Sequence, residues 1–157
     1  MTGMKQKKIA LWLKGIVIVL ALMGIVFFGG LTAYLLDMKV NGMSCWEGIG
    51  FVWYMAVLCY LILFAFWQVC VQIGRENSFS MENVRCFHRM SVESGLGLAG
   101  FVVLLIRVVA AGAADHFLVL LLIGVLLLCG VFIILCEALS RLIRYAYEVK
   151  TENELTI

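Results

Sequence analysis

Apolar residues run along this chain in long blocks, and polar residues gather between the blocks rather than alternating within them. Residues 15–36 carry no charge, nor do residues 48–74, whose polar Gln68 and Gln72 come near the end. Residues 117–136 form a third uncharged block, and residues 91–114 a fourth candidate that holds Glu93 and Arg107. A helix that crosses the hydrocarbon core needs about 20 predominantly apolar residues at ~1.5 Å each. The pattern therefore predicts an all-α integral membrane four-helix bundle, up-down-up-down. Its spans fall at about residues 10–36, 48–73, 91–114 and 117–145. They leave a single membrane domain over residues 1–157 and no room for a folded soluble one.

Composition agrees. The chain is 64% apolar and 14% charged, lacks proline, and has a mean hydropathy of +1.08. A soluble domain sits nearer half apolar and a quarter charged. A net charge of +2 builds no basic face, so direct nucleic-acid binding is not expected. The first apolar block is longer than a signal-peptide core of roughly 7–15 residues, and no clear small-x-small cleavage site follows. It reads as a retained first helix.

Orientation follows from lysine and arginine. Lys5, Lys7, Lys8 and Lys14 precede or enter the first span, and Arg75, Arg85 and Arg89 lie between the second and third. Arg141, Arg144 and Lys150 end the fourth, whereas the opposite side has Lys39 with Asp37, Glu47 and Asp115. Both termini are expected in the cytoplasm, in a multi-pass cell-membrane protein. The outer face is then one loop over residues 37–47 and a tight turn over 111–116, with Asp115 as a helix N-cap. Trp46, Tyr145 and Tyr147 suit the membrane–water interface.

The inner loop carries more structure. Ser80 is placed to cap a helix while Phe79 staples against Val84. Met81, Val84, Phe87 and Met90 recur at helical spacing, with Arg85, His88 and Arg89 toward the other side. This predicts a helix over about residues 81–90, lying at the cytoplasmic interface and running into the third span. Residues 148–157 form a polar tail.

Two stretches resemble a known family. They are Glu76-Asn77-Ser78-Phe79-Ser80-Met81-Glu82-Asn83-Val84-Arg85 and the ending Glu152-Asn153-Glu154-Leu155-Thr156-Ile157. Both are similar to motifs of a bacterial four-span inner-membrane family known by a domain-of-unknown-function label, number 2975. Genes of that family often sit beside one for a small helix-turn-helix protein of the Cro/repressor type. The resemblance implies a membrane component paired with a cytosolic regulator, and it supplies no catalytic residues. Lys150-Thr151 departs from the acidic or glutamine residues common there. The Glu-Asn pairs at 82–83 and 152–153, each after a basic stretch, give a faint echo of hairpin duplication.

Few residues suggest chemistry. Arg107 lies about 10 Å below the outer end of its helix, either snorkelling toward Asp37, Glu47 or Asp115 or serving as counter-ion to an anionic ligand. Glu93 and Glu137 lie at comparable inner depth, and an inner network joining Glu93, Arg89, Glu137 and Arg141 is expected. A proton or cation relay along the bundle is the alternative. Ser91, Gly95 and Ala99 repeat small residues every four positions, as Gly29 and Ala33 do more briefly. Intrachain packing and a homo-oligomer seam are both open readings of that stripe.

Cys59, Cys70, Cys129 and Cys136 are placed within the membrane, Cys86 on the inner side and Cys45 on the outer, with no C-x-x-C pair. His88 and His116 fall at opposite ends, so neither a metal site nor a cofactor is expected. A membrane enzyme would need a convergent acid, base or ligand set, and none stands out.

The leading expectation is a non-enzymatic sensor or anchor in the lipid bilayer, regulating a cytosolic helix-turn-helix transcription factor. Its docking surface would pair Arg85, His88 and Arg89 with Glu152, Glu154, Leu155 and Ile157. The alternative is a small-solute transporter or exporter subunit acting as an oligomer.

Overall fold

The computed structural model describes residues 2–37, 45–75, 78–112 and 116–155, with side chains over 7–37, 46–75, 78–112 and 116–153. They form four helices: α1 (Thr2–Asp37), α2 (Cys45–Gly74), α3 (Met81–Ala110) and α4 (His116–Leu155). With no proline in the chain, nothing removes an internal backbone donor, and each helix runs unbroken. All four are long and apolar enough to cross a membrane. The interfacial helix expected over 81–90 is the first part of α3, continuous with the span it leads into. The expected tail is likewise helical through Leu155, as the last turns of α4.

Successive helices alternate in direction. Gln72 meets Glu82 where α2 gives way to α3, and Arg107 meets Glu47 at the other end of the same pair. Across α3 and α4, Val84 pairs with Ser140 and His88 with Glu137. The start of α1 and the end of α4 therefore share one end of the molecule, here called the basic end, with the Glu47–Arg107 end opposite.

The arrangement differs from a closed bundle. α1 packs on α2, α2 on α3, and α3 on α4, and among the described residues α1 and α4 share no contact. The helices make an open row with α2 and α3 at its centre. In the most apolar stretch of α1 and of α4 only 6% is buried, against 28% for α2 and 22% for α3. The large apolar side chains of the outer helices, Trp12, Val26, Phe117 and Leu128 among them, face outward. Exposed apolar surface on this scale is what a hydrocarbon solvent accommodates and water does not.

Lipid gives two apolar helices little reason to prefer each other, so seams form where backbones approach closely or a polar group finds a carbonyl. α2 supplies both clamps. Tyr60 donates its hydroxyl to Ala21 O of α1 at 2.8 Å, passing over Gly24. Tyr54 donates to Leu96 O of α3 at 3.0 Å, beside Gly100. Phe51 and Phe101 meet edge to face, with centroids 5.4 Å apart, further along the α2–α3 seam. Ala65, Met90 and Cys136 then join α2, α3 and α4 in one buried cluster.

The N-terminus of α3 has the expected cap. Ser80 is extended (φ −124°, ψ 152°) and accepts from Asn83 N at 3.3 Å. Asn83, only 1% exposed, donates Nδ2 to Ser78 O at 2.8 Å, so it latches the chain entering the helix. Phe79 is mostly exposed instead of being covered as a staple. At the far end of α3, Gly112 takes a positive φ of 66° and donates to Val109 O. The N-cap expected at Asp115 lies outside the described residues.

The small-residue stripe is displaced from its expected position. Ala99 is exposed, Ser91 is only part-buried, and a Cβ at Gly95 would meet nothing within 4 Å. Gly29 and Ala33 also face outward. The close approach occurs at Gly100, where an added Cβ would lie 2.8 Å from both Met55 Cε and Tyr54 Cε1, whereas one at Gly97 would make only ordinary contact with Leu58 Cδ1 at 3.7 Å. Gly100→Val should therefore lower stability by about 1–3 kcal/mol through overpacking. Gly95→Ala should stay within ~0.5 kcal/mol of wild type. Denaturation of the purified protein in mixed micelles measures both. Equal effects would place the tight contact elsewhere.

Candidate functional site

In lipid the polar stripe of a helix, more than its apolar one, reports which side is buried. On α3 that stripe is Asn83, Cys86, Glu93 and Ser94, buried together with Met90, Gly97 and Val108. Met81, Val84 and Phe87, which recur at helical spacing on the same stretch, are only part-covered.

The middle of this buried stripe forms the floor of a cleft. Its volume is about 630 Å³, and all four helices line it. α1 contributes Gly24 and Phe28, α2 Leu58, Cys59 and Tyr60, α3 Glu93, Ser94, Gly97 and Phe101, and α4 Cys129 and Phe132. Since α1 and α4 do not touch, they stand as separate walls on α2 and α3. The lining is almost wholly apolar and aromatic, and among the described residues Glu93 is its only charged one.

Glu93 has one satisfied oxygen and one unsatisfied. Its Oε1 accepts from Arg89 Nε at 2.9 Å, an i,i+4 pair whose carboxylate side chain is 8% exposed while Arg89 is half-exposed. Oε2 is buried without a hydrogen-bond partner. An unpaired buried acceptor costs about 1–3 kcal/mol, more when charged, so its presence calls for a reason. Asn83 Oδ1 shares this condition, at the α3 cap.

The single inner network expected from the sequence is two separate clusters. Arg89 turns to Glu93 within α3, whereas the adjacent His88 points across to Glu137 of α4 at 3.4 Å. Arg141 Nε joins Glu137 at 3.2 Å from one turn further on. Consecutive helical residues diverge by about 100°, so Arg89 and His88 cannot serve one carboxylate cluster. Glu137 is not among the described residues that line the cleft, and its contacts are with His88 and Arg141.

Arg107 Nη2 pairs with Glu47 Oε1 at 2.8 Å, joining α3 to α2 at the end opposite the basic one. Glu47 is thus the partner among the three acidic residues considered. Arg85 is exposed and edges a smaller crevice with Gln68, Gln72, Glu82 and Cys86 between α2 and α3. Cys86 is buried there, its thiol 3.4 Å from Gln68 Oε1. Lys14 Nζ lies 5.5 Å from the centroid of Trp67, binding the basic end of α1 to α2.

The tail does not fold back on the inner loop as expected. Glu152 is exposed on α4, fifteen residues beyond Glu137 in the same unbroken helix, which is about 22 Å along its axis. That separation carries it away from Arg85, His88 and Arg89. The side chains of Glu154, Leu155 and Ile157, and that of Cys45, lie outside the described residues.

Two residues central to these contacts, Tyr54 and Tyr60, were not singled out by sequence reasoning. Their signal was a tyrosine deep within an apolar block, where a hydroxyl must find an acceptor. Among the described residues no group of three or more His, Cys, Asp or Glu could hold a metal.

The Arg107–Glu47 pair is about half-exposed on both sides, so its coupling should be small. A double-mutant cycle with Arg107→Leu and Glu47→Gln should return ~0–1 kcal/mol. A value above about 2 kcal/mol would mean that lipid shields the pair more fully than its exposure indicates.

A sequence profile described as a protein of unknown function (DUF2975) matches residues 40–157, the part that holds α2, α3 and α4. No curated protein and no solved structure matches the chain. The profile match spans well over half of the sequence and includes both the inner-loop motif and the ending, and the chain belongs to the DUF2975 family.

Proposed function

We propose that this protein is a non-enzymatic membrane sensor or anchor that holds a small cytosolic helix-turn-helix regulator at its basic end. Both termini then lie in the cytoplasm, as the lysine and arginine distribution favours. The observation that carries the reading is the length of α4. Its 40 residues make an unbroken helix about 60 Å long, roughly twice the thickness of the hydrocarbon core. The last turns therefore project beyond the bilayer on the same rigid rod that forms a wall of the cleft. Arg144 and Glu148 pair at 3.0 Å along the projecting part, and Thr151 bonds back to Tyr147 O, both of which support helical order there.

The backbone of α4 approaches that of α3 alone among the described helices, so a change in their packing reorients the projection as a lever. The contacts at its pivot are light. Ser140 Oγ donates to Val84 O at 3.1 Å, and His88 reaches Glu137 at 3.4 Å. A signal works through such a lever only by binding two packing states with different affinity. The transporter alternative would be favoured by discontinuous helices around a midplane site. The four unbroken helices support the sensor reading instead.

Deleting residues 152–157 should leave the protein in the membrane and release the regulator. Co-purification with the neighbouring helix-turn-helix protein, read beside a reporter for its target promoter, measures this. Equal co-purification and unchanged reporter output would remove the tail from the output site. Orientation is checked separately. Cys86 is a poor reporter because it is buried, so single cysteines belong at exposed Arg144 and Trp46 in a cysteine-free background. On intact cells an impermeant reagent should label Trp46→Cys and spare Arg144→Cys. The reverse pattern would invert the topology.

A further inference from the structure

We infer that the four-helix cleft is a binding site for a lipophilic ammonium, an apolar body bearing a protonated amine, with Glu93 as its anchor. The inference supplies the input for the sensor reading above and rests on it for its biological sense. Binding itself is a separate property and is measured directly.

Three observations converge on this ligand class. The first is the unpartnered oxygen. Glu93 Oε2 is buried with no donor, although its carboxylate is already held by Arg89 through Oε1. A carboxylate oxygen only accepts, so its missing partner is a donor, and an ionised donor makes the stronger bond. The terminal torsion of a glutamate is soft, so a donor entering from the cleft can draw Oε2 toward it.

The second observation is the composition of the walls. Phe28, Phe101 and Phe132 come from three different helices, and Tyr60 from the fourth. Aromatic faces attract a cation as well as an apolar surface. Among the described residues no lysine, arginine or histidine lines the cleft, which disfavours a phosphate or carboxylate ligand. The volume, about 630 Å³, lies within the range of sites for small organic molecules.

The third is access. The two walls, α1 and α4, do not meet, and both are covered outside by apolar side chains. An amphiphile dissolved in the bilayer can enter sideways between them, presenting its amine to the floor and leaving its apolar body against the aromatic rings. Gly97, on that floor, keeps the volume free. An added Cβ meets only ordinary contact with Leu58 at 3.7 Å, so a longer side chain grows into the cavity.

The test uses the full chain in nanodiscs, with empty nanodiscs correcting for partition into lipid. An adamantyl amine, the matching alcohol and the matching carboxylate are compared by equilibrium dialysis. The amine should bind roughly tenfold or more tightly than the alcohol, the value of a charge-assisted hydrogen bond, and the carboxylate should bind least. Glu93→Gln should remove the preference for amine over alcohol. Gly97→Leu, which fills the cavity and keeps the charge, should abolish binding of both. Equal binding of amine and alcohol to the wild-type protein would overturn the proposal, marking the cleft as a place for acyl chains alone. Preference retained in Glu93→Gln, or binding retained in Gly97→Leu, would overturn it as well. The wild-type comparison decides even where a variant fails to fold. An amine site with no effect on regulator release would refute the sensor reading while leaving this one standing.

Discussion

Hydrocarbon solvates an apolar helix as well as a neighbouring apolar helix does, and that indifference governs the architecture. Only close backbone approach and polar side chains that find a partner distinguish a neighbour from lipid. Both resources are concentrated in α2. Tyr54 and Tyr60 reach carbonyls on α3 and α1, and each bond lies beside a glycine, Gly100 or Gly24, that lets the ring come near. α1 is held through α2, and α4 through α3. Without the central pair, the outer helices have no direct contact to hold them together.

An open row with outer walls has a consequence for polar groups. A closed bundle could cover a carboxylate from every side with protein, but here the floor of the cleft keeps one lining group with an unmet bond. Glu93 is placed there by helical geometry. It is one turn beyond Arg89, which stays half-exposed and reaches back to it, and one residue before Ser94 on the buried stripe. An ionised side chain costs ~2.5–3.5 kcal/mol at the centre of a spanning helix on insertion scales, and less toward its ends. The Arg89 pair offsets part of that cost through one oxygen only. The exposed Glu137 cluster, by contrast, has donors from both His88 and Arg141.

Length, charge and capping rules read the coarse fold well, because they act within one helix or one loop. The four spans and the Ser80 cap follow from such local chemistry, whereas the partner of Arg107 stayed open among three acidic residues until the packing of α2 on α3 placed Glu47 beside it. Lateral packing was less legible. Ser91, Gly95 and Ala99 match the four-residue spacing of a packing stripe, yet the tight contact on α3 is at Gly100. Every face of an apolar helix suits lipid, so hydropathy does not choose between these registers. The polar residues do: drawing the α3 stripe through Asn83, Cys86, Glu93 and Ser94 selects the correct face. The polarity of the tail left its conformation open; residues 148–155 continue α4, with Thr151 bonding back to Tyr147 O.

The two clusters at the basic side of α3 sit on adjoining positions, and this bears on how a cleft could communicate. Arg89 holds Glu93 on the floor, while His88, its immediate neighbour, holds Glu137 on α4. Because consecutive side chains point about 100° apart, a rotation of this part of α3 moves both contacts together, one toward the cleft and one toward α4. Packed helices shift between discrete arrangements more readily than they deform continuously. The donor to Glu93 on the cleft floor and the donor to Glu137 on α4 therefore come from neighbouring positions of one helical turn, in a helix that runs unbroken.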